Sequence, residues 1–313
     1  MTDKINRQIF EDFNPKRLFF NYPMSKLISF RVGGPADVLF LPASVAELEK
    51  AIEVCRAEAI TYQVLGRGSN VLVSDRGIRG MTIYLKANFA SLSINQDTIS
   101  AQAGASLASL AALAARHSLS GLEFAAGIPG SLGGAVLMNA SAYDGQMADL
   151  VVSSSYLTRE GQVKNRLGQD HDFAYRHSAY SDSQDLILTA ELKLQPADRQ
   201  TIYQKMNDFQ VRRRTSQPLD KASAGSAFKR PPGNYASKLI ADSGLKGYRY
   251  HQAGVSAKHA GFIINYGGAK AADINQVFAH VKTEVKRQFG VSLEPEVRWL
   301  GEWLDEEVAW KLS

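Results

Sequence analysis

Hydrophobic spacing changes period repeatedly along the chain, and each change marks an element. Leu48, Ile52, Cys55 and Ala59 recur at helical spacing behind Ser44, which has Glu47 three residues on. A serine followed at that distance by glutamate is a capping box, so a helix is predicted to open at Ser44. Leu107, Leu110 and Ala114 form a similar stripe behind Ser106. Ile202, Met206, Phe209 and Arg213 form another, beyond a linker at Gln195-Pro196-Ala197-Asp198. Ile274, Val277, Phe278, Val281 and Val285 mark a later helix, which Gly290 is placed to end. Helices are also expected over Tyr235–Ser243 and, briefly, near residues 6–13.

Strand-like runs lie between these stripes, at Val38–Leu41, Tyr62–Leu65, Val71–Val73, Met81–Leu85 and Gly261–Asn265. Leu92–Ile94 and Ile99–Ala103 predict a hairpin across Asn95-Gln96-Asp97. Val151–Thr158 and Gln162–Asn165 predict another through Arg159-Glu160-Gly161. Leu186, Leu188, Ala190, Leu192 and Leu194 alternate with more polar residues, the mark of a strand with one buried face. Asp220–Gly233 is rich in glycine, serine and proline, and the chain closes with Leu293–Trp299 and a charged tail.

Two stretches break the pattern. Ala125–Gly145 holds five glycines, Gly127, Gly130, Gly133, Gly134 and Gly145, with Pro129 fixing one φ among them. Its flanks Leu122, Phe124, Val136 and Leu137 are apolar, so the stretch enters a core rather than lying on the surface. Leu65-Gly66-Arg67-Gly68-Ser69-Asn70 is a second glycine-rich turn in a similar setting. Loops of this kind turn several backbone N–H groups toward one point and suit a phosphate or pyrophosphate. Neither has the strand–turn–helix spacing of a dinucleotide fingerprint, nor the Gly-Lys-Ser/Thr of a P-loop. Two loops without a helix after a strand are therefore expected to hold the phosphates.

Composition narrows the setting. A chain of 313 residues is long enough for two or three domains, and a hydrophobic fraction of 45% argues against disorder. The one cysteine, Cys55, rules out an internal disulfide framework and reads as a buried packing thiol. No signal peptide is visible, and no run approaches about 18 consecutive apolar residues, so a cytoplasmic location with no membrane contact is expected. The formal charge of +5 suits anionic ligands. Nucleic acid is not expected, because the one dense basic run, Arg212-Arg213-Arg214, is short and ends a helix. Six histidines and one cysteine show no metal-ligand spacing, so no metal is expected.

Three stretches carry reactive groups outside helices: Tyr175-Arg176-His177-Ser178, Ser223–Pro231 and Leu293–Arg298. Each has a purely structural alternative. Arg176 could form a surface salt bridge, Ser226 could cap a turn, and Glu296 could pair with Arg298.

The order of these motifs adds what spacing cannot. FRVGGPAD, LGRGSNVLVSD, GIPGSLGGAVLMNASAYDG, YRHS, AGSAFKRP, SGLKG, KHAGFIIN and LEPEVRWLG run from Phe30 to Gly301. The series resembles the UDP-N-acetylenolpyruvoylglucosamine reductase (MurB) family of peptidoglycan precursor synthesis. The resemblance implies an α+β fold: a vanillyl-alcohol-oxidase-type (PCMH-type) FAD-binding domain of two α/β subdomains, plus a C-terminal α/β substrate-binding domain. The boundaries expected are 1–80 and 81–198 for the FAD-binding subdomains, 199–301 for the substrate domain and 302–313 for the tail. Ser226 lies 50 positions after Arg176, as in the shorter subclass without an inserted loop. Ser141 departs from the family pattern by standing where a glycine is usual.

The resemblance also implies chemistry. NADPH reduces FAD, and a hydride then reaches the enolpyruvyl ether of UDP-N-acetylglucosamine, giving UDP-N-acetylmuramate. Arg176 would stabilise the substrate carboxylate and its developing charge, since a guanidinium is always cationic and forked. Glu296 would polarise the same group, a role that requires a raised pKa. Ser226 would deliver the proton, with Lys229 a neighbour able to lower its cost. Cofactor contacts are expected from Gly66, Arg67, Gly68, Ser69, Asn70, Gly127, Ile128, Pro129, Gly130, Ser131, Gly133, Gly134, Asn139 and Ala140. Neither loop contains His or Cys, so FAD should be noncovalent. Tyr175, Arg214, Gln217, Arg230 and His259 are expected to meet the uridine diphosphate. The oligomeric state is not fixed, with a monomer as the expectation. Two alternatives stay open: a flavin oxidase of the same fold acting on a small hydroxy acid or sugar, and a nucleotide-binding protein without catalysis.

Overall fold

A computed structural model describes residues 6–183 and 185–311, so expectations touching 1–5, 184 or 312–313 lie outside the described residues there. The chain forms two compact units, each gathered from separated segments. The first takes the residues up to Phe19, Leu39–Arg67 and Met81–Arg212. The second takes Phe20–Val38, Gly68–Gly80 and the residues from Arg213 onward.

In the first unit, helix α1 (Val45–Ala57) opens where Ser44 Oγ accepts the Glu47 N–H at 3.2 Å. The Glu47 carboxylate returns to the N–H of Ala43 at 2.7 Å, one residue ahead of the cap itself. Leu48, Ala51, Ile52 and Cys55 bury one face, and burial pushes the Cys55 thiol up to about 11, which keeps it an inert packing group. Helix α2 (Leu107–Arg116) buries Leu107, Leu110 and Ala114 behind its Ser106 cap. A five-stranded antiparallel sheet runs in the order Val163–Leu167, Val151–Leu157, Leu186–Lys193, Thr98–Gln102, Leu92–Asn95. Both predicted hairpins are in it, and Leu186, Leu188, Ala190 and Leu192 are buried as their alternation requires.

Three readings change here. The helix expected near 6–13 is a single 3-10 turn, Arg7–Phe10, because Phe10 and Phe13 turn into an aromatic cluster with Phe40. Gln195–Pro196 is no mere linker. It pairs with Leu119–Ser120 as a two-residue antiparallel ladder, and Ala197 N–H continues it to Ser118 O at 2.9 Å. The glycine-rich stretch contains a six-residue helix, α3 (Leu132–Leu137), where loop alone was expected. Helix α4 (Arg199–Ser216) starts where Asp198 Oδ2 accepts the Thr201 N–H at 2.8 Å.

In the second unit, an antiparallel sheet has the order Ala222–Ser226, Phe262–Asn265, Ala253–Val255, Arg249–Tyr250. The segment Asp220–Gly233, rich in turn-forming residues, thus supplies an edge strand. Its register shifts between Ser223 and Ser226, and Gly225 takes φ +78° in that irregularity. Val71–Val73 pairs in parallel with Arg298–Leu300. Helix α5 spans Ala236–Asp242, and α6 spans Ala271–Phe289. Helix α6 buries Ile274, Val277, Phe278, Val281 and Val285 and ends at Gly290, φ +68°. The Asp75 carboxylate accepts the Ala271 and Ala272 N–H groups at 2.9 Å each, satisfying donors that the α6 N-terminus leaves open. The glycines of FRVGGPAD allow backbones to touch. A Cβ at Gly34 would stand 2.1 Å from Asp75 O.

The charged tail packs on α6. Asn275 Oδ1 accepts Trp299 Nε1 at 2.9 Å and Trp310 Nε1 at 3.1 Å, while Lys282 Nζ donates to the carbonyls of Trp310 (3.0 Å) and Lys311 (2.8 Å). Among the described residues no helix is long and apolar enough to cross a membrane.

Candidate active site

The glycine-rich stretch fits a phosphate-bearing cofactor by its backbone donors. Gly133 and, in the first turn, Gly66 seat the backbone against the protein itself: a Cβ on Gly66 would stand 2.2 Å from Ser131 Oγ, and one on Gly133 would stand 2.9 Å from Ala103 Cβ. The N–H groups of the stretch divide into two sets. Those of Ile128, Leu132 and Gly133 bond to Ala125, Ala105 and Ala103 carbonyls. Those of Gly127, Gly130 and Ser131 meet no acceptor among the described residues. None of Gly127, Gly130, Gly133 and Gly134 has a positive φ. Gly133 and Gly145 are needed for space, against Ala103 and Phe124, and not for left-handed backbone. In the first turn Gly68 does take φ +65°, and its carbonyl accepts Ser29 N–H at 3.0 Å.

Left-handed residues instead follow α3. Gly145–Gln146 folds back on Ser141–Ala142, and the two linking residues, Tyr143 and Asp144, have φ of +50° and +66°. That is the backbone of a type I′ turn, which usually selects Asn-Gly. Tyr143 is held there by its ring, stacked on Phe209 at 4.3 Å, and its hydroxyl donates to Phe209 O at 3.2 Å. Asn139 also has a positive φ, +41°, and its side chain is fully engaged: Oδ1 accepts Ala148 N–H at 2.9 Å, and Nδ2 donates to Ala174 O at 3.0 Å.

Ala174 begins the turn that carries Arg176. Ala174 and His177 exchange both backbone hydrogen bonds at 3.2 Å, and Arg176 takes φ +56° as the third residue. Glycine or asparagine is usual at that place, so an arginine there is strained. Ser178 Oγ anchors the far side to Leu137 O at 2.8 Å. The guanidinium lies 5.0 Å from the ring centroid of exposed Tyr175, and its Nη1 donates to Ser141 Oγ at 2.7 Å. Ser141 is itself in extended backbone, where a side chain costs nothing.

In the second unit the fold brings the segments that carry Ser226 and Glu296 together. Phe228 and Pro295 form an antiparallel bridge, and Glu296 N–H donates to Ala227 O at 2.9 Å. Ser226 sits exposed at the end of its strand opposite Phe262. Asn70 fixes the Glu296 segment from both sides: Nδ2 donates to Glu296 O at 3.1 Å, and Asn70 O accepts Arg298 N–H at 3.0 Å. This use of Asn70 was not readable from sequence, since 226 positions separate the partners. The Lys229 ammonium is paired with the Glu294 carboxylate.

His259 Nδ1 accepts Gly261 N–H at 3.1 Å, so the neutral ring carries its proton on Nε2. Burial lowers its pKa, which favours that neutral form. Gly261 O in turn accepts Ala227 N–H at 2.8 Å, linking His259 to the Ser226 strand. The Gln217 amide oxygen is buried without a donor among the described residues. Arg230 stacks on Tyr235 at 4.1 Å, and Arg214 O accepts the Lys258 ammonium.

Residues 36–165 match the family model of an FAD binding domain, and residues 217–300 match that of the UDP-N-acetylenolpyruvoylglucosamine reductase C-terminal domain. The wild-type Phl p 4.0202 structure, a glucose dehydrogenase, aligns with a TM-score of 0.50 over 91% of this chain and 62% of that one. Its identity is 13%, so it shares the fold alone. The fold and loops thus define an α+β flavoprotein of the PCMH type. Among enzymes named UDP-N-acetylenolpyruvoylglucosamine reductase, that of Pediococcus pentosaceus is 43% identical over 298 residues, 95% of this chain and 99% of its own. That of Clostridioides difficile is 46% identical over 280 residues, 90% of this chain and 92% of its own. The crystal structure of the Thermus caldophilus reductase (MurB) aligns with a TM-score of 0.77 at 33% identity, covering 90% of this chain and 98% of that one. The chain belongs to the UDP-N-acetylenolpyruvoylglucosamine reductase family.

Proposed function

We propose that this protein uses NADPH and FAD to reduce the enolpyruvyl ether of UDP-N-acetylglucosamine to UDP-N-acetylmuramate, a step of peptidoglycan precursor synthesis. The observation that carries the reading is relatedness to named reductases over 95% of the chain. The glucose dehydrogenase of like fold is only 13% identical, so it lends the oxidase alternative nothing beyond the fold.

FAD, when bound, supplies the hydride that NADPH has delivered. Gly66, Arg67, Gly68, Ser69 and Asn70, with Gly127, Ile128, Pro129, Gly130, Ser131, Gly133, Gly134, Asn139 and Ala140, hold it. The open N–H groups of Gly127, Gly130 and Ser131 suit its pyrophosphate. Arg176 binds the enolpyruvyl carboxylate and offsets the negative charge that builds there and on C2 as hydride arrives at C3. Glu296 hydrogen-bonds the same group, and Ser226 gives its hydroxyl proton to C2. One hydride and one proton thus saturate the double bond. Tyr175, Arg214, Gln217, Arg230 and His259 bind the uridine diphosphate: Gln217 offers an acceptor, and His259 offers its Nε2–H.

Residues 1–80 and 81–198 make the flavin-binding domain, the second also lending Tyr175 and Arg176 to the substrate; 199–301 bind the sugar nucleotide, and 302–313 are the tail. We place the protein in the cytoplasm as a monomer. The test is anaerobic: enzyme reduced by NADPH is mixed with the UDP-enolpyruvyl sugar, and flavin absorbance is followed. Rapid return of the oxidised spectrum supports the reading. Reoxidation by oxygen alone would replace it with the oxidase.

A further inference from the structure

The Ser141 hydroxyl accepts a hydrogen bond from the Arg176 guanidinium at 2.7 Å, a contact that a glycine there could not make. We propose that Ser141 is a positioning residue that aims Arg176 at the substrate carboxylate, an inference that rests on the carboxylate-binding role given to Arg176 above.

The geometry is local to one unit. Arg176 sits on a strained turn, φ +56°, and its long side chain leaves the backbone with many rotamers to choose from. Ser141 Oγ takes one of its N–H bonds at 2.7 Å, a short charge-assisted contact. The Tyr175 ring lies against the guanidinium at 5.0 Å. The hydrogen bond and the ring face both bear on the plane of the fork, and a forked donor recognises carboxylate best when its plane is set. Ser141 is itself rigid: its strand Ser141–Ala142 is closed by the Tyr143–Asp144 turn, and Tyr143 is stacked on Phe209. The hydroxyl is thus held by a short hairpin and not by a loose loop.

The role is separable from folding, because it concerns only the ligand's carboxylate. UDP-N-acetylmuramate carries a lactyl carboxylate, and UDP-N-acetylglucosamine has none. The experiment titrates both into oxidised, FAD-loaded enzyme by calorimetry. Ser141→Ala should weaken UDP-N-acetylmuramate by about tenfold, the scale of one hydrogen bond to a charged group, and leave UDP-N-acetylglucosamine unchanged. Ser141→Thr keeps the hydroxyl and should restore the difference. Ser141→Gly serves if the alanine variant does not fold, with the same expectation. Equal weakening of both ligands, or no change in either, overturns the proposal. Arg176→Ala separates the two layers. If it abolishes discrimination while Ser141→Ala does not, the inference fails and the reading of Arg176 survives. If Arg176→Ala leaves discrimination intact, the reading of Arg176 itself is wrong.

Discussion

Arg176 and the Ser226–Glu296 pair solve the problem of holding a reactive group in opposite ways. Arg176 is on a four-residue turn with a left-handed residue, and its restraints are side chains: Asn139 on Ala174, Ser178 on Leu137, Ser141 on the guanidinium. Ser226 and Glu296 are on neighbouring extended segments, and most of their restraints are backbone bonds, through Ala227, Gly261 and Arg298. A strained turn keeps its shape only while its surroundings insist on it. A ladder keeps its shape whatever side chains it carries. The first region should therefore be sensitive to substitutions that touch no ligand. The second should be sensitive mainly at the reacting groups themselves.

The largest effect is expected at Ser226. Ser226→Ala should leave reduction of FAD by NADPH nearly unchanged and slow reoxidation by the enolpyruvyl substrate by about a hundredfold to ten-thousandfold. Stopped-flow absorbance separates the two steps. The ladder should hold, so the melting temperature should barely move; a large drop would mean that the hydroxyl is structural.

Asn139→Ala breaks the other region. It removes bonds to Ala148 N–H and Ala174 O and places alanine at φ +41°. Together these should cost roughly 2–4 kcal/mol. Substrate KM should also rise several-fold, although the side chain need touch no substrate. A stability loss with unchanged KM would show that the Arg176 turn holds without it.

Asn70→Ala tests the ladder from outside. It deletes one amide bond to Glu296 O while the backbone bond to Arg298 stays, so about 0.5–1.5 kcal/mol should be lost in urea unfolding. Reoxidation should slow only a few-fold. An effect as large as that of Ser226→Ala would erase the contrast between the two regions.

The smallest effect lies under the Arg176 segment, at His171. The ring is buried, with Nδ1–H donating to Gly168 O at 2.9 Å and Nε2 accepting from Ser154 Oγ at 2.7 Å. Burial, then the Arg166 charge, lowers its pKa. A depressed histidine binds its proton more readily unfolded. Its contribution is therefore complete above about pH 6.5 and is lost as pH falls through the lower folded value, by no more than about 1.4 kcal/mol per pH unit. Melting curves from pH 7 to 5 should show the decline, and His171→Gln should flatten it. An unchanged slope would assign the acid sensitivity elsewhere.

The sequence revealed these regions unequally. Regular elements with a strong period were legible: α1 and its Ser44 cap, the Leu186 strand, and α6 with its Gly290 stop all announce themselves locally. The family was legible because eight motifs fall in order. Elements made by pairing were not. The Gln195–Pro196 ladder and the Ala222–Ser226 edge strand are composed of turn residues, and only a distant partner makes them strands. Side-chain anchors were invisible for the same reason. Asn139 and Asn70 are expected on the cofactor by resemblance alone, and nothing in the sequence tells that their amides bond carbonyls 35 and 226 positions away. Lys229 is expected near Ser226 from proximity in sequence, and its ion pair with Glu294, 65 positions away, was equally invisible.

The way the second unit is gathered limits how it can be dissected. The family's C-terminal model begins at residue 217, which invites an excised fragment for crystallography or ligand screening. Such a fragment would leave behind Val71–Val73, the parallel partner of Arg298–Leu300, and Asp75, the carboxylate that caps α6. It would expose a raw strand edge and two unsatisfied helix donors, the features that drive isolated fragments to aggregate. A usable excision has to carry 20–38 and 68–80 with it, grafted by new connections. The covalent order of the chain is therefore a poor guide to where it can be cut.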